Sequence, residues 1–191
     1  MTWKGDRLSV RFAGAGGQGL QAAAAILGES LVRSTDFFVC QAQNYGPESR
    51  GGLSYSDLII SRNEIDFPKI QIPDVLVLMS NESYLKFQRP IMDGSILRLI
   101  IDPDMVPVKQ SAIRKISVQT HLISATLASE AIFGNRIAAN VVLVGAIHAI
   151  LQIGDQNVIE AVLRDKWPVL ADKNVSAFRK GIDLATENLK I

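Results

Sequence analysis

Apolar positions in the first two thirds of the chain recur in short runs that are typical of β-strands. These predicted strands cover residues 8–13, 36–41, 53–60, 75–79, 96–101 and 116–119. Residues 75–79 are apolar without interruption, which indicates a strand buried on both faces of a sheet. Helix formers take over in residues 17–33, and Asn81 can cap a short helix over residues 82–87.

The last third of the chain changes to a helical pattern. Helices are predicted over residues 124–133, 138–151, 156–163 and 175–189, with Gly134-Asn135 and Gly154-Asp155 between them. Strands that alternate with helices predict an α/β fold: a Rossmann-like, mainly parallel sheet with flanking helices and a helical C-terminal part. Because no repeat or linker is found, we expect residues 1–191 to form a single domain.

Composition narrows the classes of protein that fit. The 191 residues are 48% hydrophobic, and the mean hydropathy is +0.18. This excludes a disordered chain and predicts an apolar subunit interface in addition to a core. Lys and Arg (20) balance Asp and Glu (19), so the basic excess of a nucleic-acid binder is missing.

Membrane and export signals are also missing from the sequence. The most apolar segment, residues 138–153, is shorter than the roughly 20 apolar residues that span a bilayer. Residues 1–7 are polar, unlike a signal peptide. We therefore expect a cytoplasmic protein that binds neither membranes nor nucleic acid.

Few residues are candidates for catalysis. Cys40 is the single cysteine, so this chain alone cannot supply a four-thiolate iron–sulfur site, and we interpret Cys40 as a small buried side chain. His148 is expected to be a hydrogen-bonded core or interface residue, and His121 is expected at the surface where a helix begins. No nucleophile elbow, zinc-protease motif or Lys-containing phosphate loop occurs. We predict no catalytic residue and no metal site on this chain.

The first glycine-rich cluster, GAGGQG at residues 14–19, lies between a predicted strand and a predicted helix. Glycines allow a tight turn, and free N–H groups at a helix start attract anions. A dinucleotide site would need an acidic residue about 20 positions later to hold the ribose, and residues 38–41 contain none. NAD or FAD binding, helix–strand packing alone, and another phosphate-bearing or partner-derived ligand all stay open.

The second cluster is QAQNYGPESRGG at residues 41–52. Pro47 stiffens this loop, while its glycines permit close backbone approach. Arg50 can form a two-pronged contact with a carboxylate or phosphate. In the alternative interpretation, Glu48 and Arg50 pair with each other or with a neighbouring subunit.

Both clusters, followed by SYSDLIIS at residues 54–61, resemble one family: the gamma subunit of 2-oxoacid:ferredoxin oxidoreductases. They are most similar to its 2-oxoglutarate (2-oxoglutarate synthase) branch. The resemblance extends over nearly the whole chain, through Pro73-Asp74, residues 124–126, Ala139-Asn140, Leu143, Gly145, Asn174, Ala177-Phe178 and Gly181.

The resemblance implies a subunit, inactive alone, of an enzyme that converts 2-oxoglutarate, coenzyme A and oxidised ferredoxin into succinyl-CoA, carbon dioxide and reduced ferredoxin. It implies alpha and beta partners, in some members also delta, which carry thiamine diphosphate, Mg²⁺ and iron–sulfur clusters. This chain would contribute to assembly and bind coenzyme A. The residues carried over for that site are Gly14, Gly16, Gly17, Gln18, Gly19, Tyr45, Glu48, Ser49 and Arg50.

Two other functions are alternatives to this one. The first is a stand-alone nucleotide- or CoA-binding regulatory module, isolated as a homo-oligomer. The second is a nicotinamide-dependent dehydrogenase, which the missing ribose acid and the lack of a catalytic base disfavour.

Overall fold

A computed structural model describes residues 5–45, 52–107 and 116–188. Its strands are β1 (Arg7–Ala15), β2 (Phe38–Tyr45), β3 (Leu53–Ser61), β4 (Val75–Leu78), β5 (Arg98–Ile101) and β6 (Gln119–Leu122). The helices of these ranges are α1 (Leu20–Ser34), α2 (Asn81–Lys86), α3 (Gln88–Met92), α4 (Ala125–Phe133), α5 (Ala139–Leu151), α6 (Gln156–Lys166) and α7 (Ala171–Asn188). A short 3₁₀ turn, Pro168–Leu170, precedes α7. The α/β prediction is confirmed.

The strands form one sheet in the order β2-β3-β1-β4-β5-β6. The run from β1 through β4 and β5 to β6 is parallel, as predicted, whereas β3 lies antiparallel between β1 and β2. The chain therefore leaves β1 toward one side of the sheet and later adds β4 on the other side. In open α/β sheets, the crevice at the carboxyl end of such a strand is the usual ligand position.

Helices cover the two faces of the sheet unequally. The larger core lies under α1, α4, α5, α6 and α7, and the smaller one under α2 and α3. In the larger core, α5 and α7 approach so closely that a Cβ at Gly145 would overlap the carbonyl oxygen of Phe178. A Cβ at Gly181 would overlap the carbonyl of Val142 in the same way. Both glycines are thus required by the contact between these helices.

Several predicted boundaries differ from the structure. Ser80, not Asn81, caps α2, because its hydroxyl accepts from Ser83 N while the Ser83 side chain bonds back to the cap. Helix α3 was not predicted, since it is only five residues long and contains Pro90. Strand β6 lies later than the predicted residues 116–119, so His121 belongs to a strand and not to a helix start.

The predicted helix breaks are confirmed. Gly134 ends α4 with φ +75°, and the Asp155 side chain caps α6 by accepting from Asn157 N and Val158 N. Among the residues that the structure describes, no helix is long and apolar enough to cross a membrane.

Candidate functional site at the glycine loop

Residues 14–19, called the glycine loop below, connect β1 with α1 at the point where the sheet changes winding direction. Gly17 (φ +89°) and Gly19 (φ +71°) adopt left-handed conformations that favour glycine. Helix α1 begins without a side-chain cap among the described residues, and its first turn holds no acidic side chain. Its N-terminal N–H groups carry partial positive charge, so this end suits an anion.

The loop backbone is tied to its surroundings on three sides. Gln18 Oε1 accepts from Ala15 N at 2.7 Å, and Gln18 Nε2 donates to the carbonyl of Met79 at 2.7 Å. Toward β3, Gly16 N donates to the carbonyl of Gly52 at 3.3 Å. Below, Asn140 Nδ2 donates to the carbonyl of Gly19 at 3.1 Å. The loop is therefore held in one shape by contacts that are distant in sequence.

Two cavities flank the glycine loop. One, of about 390 Å³, lies toward β3 and is lined by Ala15, Gly16, Gly17, Gly19, Leu20, Gln21, Ala22, Ser54 and Tyr55. The other, of about 380 Å³, lies toward α4 and α5 and is lined by Gly16, Gly17, Gln18, Met79, Met105, Thr126, Arg136, Ile137 and Ala139. The first turn of α1 thus borders the cavity on the β3 side, and a cationic side chain borders the other.

The structure brings only part of the predicted site together. Gly14, Gly16, Gly17, Gln18 and Gly19 form the loop. Tyr45 ends β2 opposite Ser54, although its side chain is not among those described. The predicted residues Glu48, Ser49 and Arg50 lie outside the described residues. The last residue of the second cluster lies beside the first cluster, because the Gly52 carbonyl accepts a hydrogen bond from Gly16 N.

A buried carboxyl group lies at the same edge of the sheet. Asp102 follows β5 and is fully buried. Thr126 N and Oγ1 donate to its Oδ2 at 3.0 and 2.6 Å, and Asp104 N donates to its Oδ1 at 3.1 Å. Burial raises the pKa of Asp102 to about 6, against the lowering effect of these hydrogen bonds. Asp102 therefore links the start of α4 to the edge of the sheet.

The histidines and the cysteine have mixed outcomes. His148 is half-buried and hydrogen-bonded, with Nδ1 2.7 Å from the Ile153 carbonyl, and the prediction was a hydrogen-bonded core or interface residue. The surface prediction for His121 is wrong: it is buried in β6, and burial lowers its pKa. Cys40 is half-buried and not fully buried, because β2 is an edge strand of the described sheet. Within the described ranges, no three His, Cys, Asp or Glu residues are grouped to hold a metal.

Several residues that flank the glycine loop were not predicted as site residues from the sequence. Asn140, at the start of α5, bonds to the glycine loop. Tyr55 lines one of the two cavities, and Arg136 and Thr126 line the other. Asp102, just after β5, accepts hydrogen bonds from Thr126. Their neighbours are far apart in the chain, so no local motif marks them. Asn140, Thr126 and Tyr55 entered the sequence analysis only as positions of family resemblance.

Known proteins similar to this chain agree on one family. A family profile described as pyruvate ferredoxin/flavodoxin oxidoreductase matches residues 9–184. The 2-oxoglutarate synthase subunit KorC of Methanothermobacter thermautotrophicus is 37% identical over 184 residues, covering 95% of this chain and 96% of the relative. The KorC subunit of Methanocaldococcus jannaschii is 36% identical, with 95% of both chains covered.

Solved structures show the same fold. The gamma subunit of a keto/oxoacid ferredoxin oxidoreductase from Geobacter sulfurreducens superimposes with a TM-score of 0.81 at 29% identity, covering 96% of this chain and 99% of that one. The 2-oxoglutarate:ferredoxin oxidoreductase from Magnetococcus marinus, solved with 2-oxoglutarate, coenzyme A and succinyl-CoA bound, has a TM-score of 0.85 at 21% identity. The match covers 96% of this chain and 32% of that longer one.

Fold and loop together define an α/β protein with a glycine loop that opens a helix at the switch point of its sheet. The profile match and the full-length relatives narrow this class further. The chain belongs to the pyruvate ferredoxin/flavodoxin oxidoreductase family, and it is a gamma-type oxidoreductase subunit.

Proposed function

We propose that this chain is the gamma subunit of a cytoplasmic 2-oxoglutarate:ferredoxin oxidoreductase. Alpha and beta partners, with or without a delta chain, carry thiamine diphosphate, Mg²⁺ and the iron–sulfur clusters. The complex oxidatively decarboxylates 2-oxoglutarate, transfers the succinyl group to coenzyme A and reduces ferredoxin. The support is the match to KorC subunits along nearly the whole of both chains.

On this chain, the proposed ligand is coenzyme A. One observation carries this proposal. The start of α1 has no side-chain cap among the described residues, and it borders a cavity of about 390 Å³. A helix start of this kind favours phosphate groups, and coenzyme A is a phosphate-bearing substrate of the proposed reaction. The loop would hold the phosphates while the thiol arm extends toward the active site on the partner chains.

Arg50 is the proposed cationic contact to those phosphates. It precedes Gly52 by two residues in the sequence. Gly52 in turn is paired with Gly16 N in the glycine loop. A guanidinium group near a helix start can bind a phosphate through two parallel hydrogen bonds. Tyr45, Glu48 and Ser49 are proposed as further contacts to coenzyme A.

Exposed apolar side chains support the assembly role. Leu85 on α2, Met92 on α3 and Leu97 before β5 are 59%, 48% and 64% exposed. Leu85 and Met92 lie on the two helices that cover the smaller core, and Leu97 follows these helices in the chain. Exposed apolar side chains become buried at interaction surfaces, and the proposed partner chains would cover these three.

Steady-state kinetics of the reconstituted complex test the site. Arg50→Ala should raise the KM for coenzyme A about tenfold, because one charge-assisted contact is lost. The KM for 2-oxoglutarate should stay unchanged, since the oxoacid binds on other chains. Arg164→Ala, which changes an exposed arginine of α6, is the matched control. An unchanged KM for coenzyme A in Arg50→Ala would contradict the proposed site.

A further inference from the structure

Both polar atoms of the Gln18 side chain bond to the protein backbone. Its Oε1 accepts from Ala15 N and its Nε2 donates to the Met79 carbonyl, both at 2.7 Å. Met79 directly follows β4, which neighbours β1 in the sheet. A side-chain amide that is bonded at both polar atoms in this way braces the loop against the next strand.

Gly14 makes room for that amide. A Cβ at Gly14 would overlap Gln18 Oε1, whereas its next contacts, Met79 Cβ at 3.1 Å and Leu20 Cδ2 at 3.3 Å, are only tight. Gly14 lies in β1 and is not among the glycines with positive φ. The backbone conformation therefore does not require glycine here. The requirement comes from the position of the Gln18 side chain.

Asn140 holds the other end of the loop. It is 4% exposed, and its Nδ2 donates to the carbonyl of Gly19 at 3.1 Å. The same carbonyl accepts from Ala23 N at 3.0 Å, which is the first hydrogen bond of α1. Asn140 Oδ1 is buried and has no hydrogen-bond partner among the described residues. Asn140 thus fixes the residue from which the open N–H groups of α1 project.

We propose that Gln18 and Asn140 are positioning residues for the phosphate-bearing ligand of the glycine loop. Neither side chain contacts the ligand. Gln18 braces the loop against the end of β4, and Asn140 anchors the start of α1 from below. Together they keep the N–H groups of the first helical turn aimed at an anion before it arrives. The inference rests on the proposed function and assigns roles within the same site.

Amide hydrogen exchange of the ligand-free, full-length chain tests the bracing directly. Gln18→Leu and Asn140→Leu should each speed exchange in residues 14–20 about tenfold, because each leaves loop backbone groups without partners. Gln18→Glu is the milder variant: it keeps an acceptor for Ala15 N and loses the donor to Met79. The matched control is Gln119→Leu, which changes an exposed glutamine at the start of β6.

Kinetics of the reconstituted complex then separate positioning from contact. Gln18→Leu should raise the KM for coenzyme A about tenfold while kcat stays nearly unchanged, since a misplaced loop weakens binding. Gly14→Ala should raise it similarly by displacing the Gln18 amide. The double variant Gly14→Ala/Gln18→Ala should be no worse than either single variant, because both changes remove the same brace.

Each result has a distinct meaning. Faster exchange with an unchanged KM for coenzyme A would uphold the bracing and contradict the proposed ligand. A raised KM with unchanged exchange would overturn the inference, because Gln18 would then act by touching the ligand. Independent, multiplying effects of Gly14→Ala and Gln18→Ala would also overturn it. Both readouts changing together, with the control unaffected, is the expected result.

Discussion

The buried ion pair between Arg11 and Asp57 makes a strong prediction about stability. Arg11 Nε and Nη2 donate to the two carboxylate oxygens of Asp57 at 2.6 and 2.7 Å. Arg11 Nη2 also donates to the Ile70 carbonyl at 2.9 Å, and the guanidinium lies 4.4 Å from the Tyr55 ring centre. Both charged residues are less than 5% exposed. Asp57→Ala would leave the guanidinium buried without its counter-charge.

The cost of that change follows from burial. Removing one member of a buried pair costs about 3–5 kcal/mol, because the remaining charge stays desolvated. In a chain of 191 residues, this lowers Tm by about 6–20 °C. Arg11→Met/Asp57→Leu removes both charges, so it should be less destabilised than Asp57→Ala alone.

Urea unfolding followed by circular dichroism, with a thermal melt as a second readout, measures these differences. Asp172→Ala is the matched control, because it breaks the exposed pair with Arg164 at 2.7 Å. The Asp172 side chain is 92% exposed, and an exposed pair contributes about 0–1 kcal/mol. Two results would show that the buried charge does not set the cost of the substitution. In one, Asp57→Ala lowers the free energy of unfolding by less than about 1 kcal/mol. In the other, the double variant is less stable than Asp57→Ala.

Three further predictions concern other parts of the fold. Because burial raises the pKa of Asp102 from 3.8 to about 6, the folded state binds more protons than the unfolded chain between these values. Stability from this group should therefore fall as pH rises from about 4 to about 6, and Asp102→Asn should flatten that slope in urea unfolding. Gly145→Ala should cost about 2–3 kcal/mol or more by thermal melt, because its Cβ meets backbone. Gly28→Ala, whose Cβ meets only side-chain atoms, should cost less. Asp155→Ala should cost about 1 kcal/mol in urea unfolding through loss of the α6 cap.

Local sequence signals were enough to place the glycine loop. A strand, a glycine-rich turn and a helix start follow one another within residues 8–33, so the pattern and the structure it encodes are both local. The breaks at Gly134 and Asp155 were predictable for the same reason. Positive φ and side-chain capping depend on one or two residues at a time.

Long-range pairing is what the sequence did not reveal. The sequence predicts a strand over residues 53–60, yet the antiparallel place of this strand between β1 and β2 depends on partners across the sheet. Gln18 bonds to a residue 61 positions away, and Asn140 to one 121 positions away. His121 was misplaced because β6 is only four residues long, with a weak apolar pattern. Contacts of this kind are set by the assembled fold.

Purification of the native complex by following this chain tests whether the chain is the gamma subunit of a 2-oxoglutarate:ferredoxin oxidoreductase. The co-purified proteins are identified by mass spectrometry, and thiamine diphosphate, iron and 2-oxoglutarate- and coenzyme A-dependent reduction of ferredoxin are assayed in the same fraction. We expect stoichiometric alpha and beta partners, together with thiamine diphosphate, iron and the reduction of ferredoxin. Recovery of the chain alone as a homo-oligomer, without activity, would contradict it and favour a stand-alone nucleotide- or CoA-binding module.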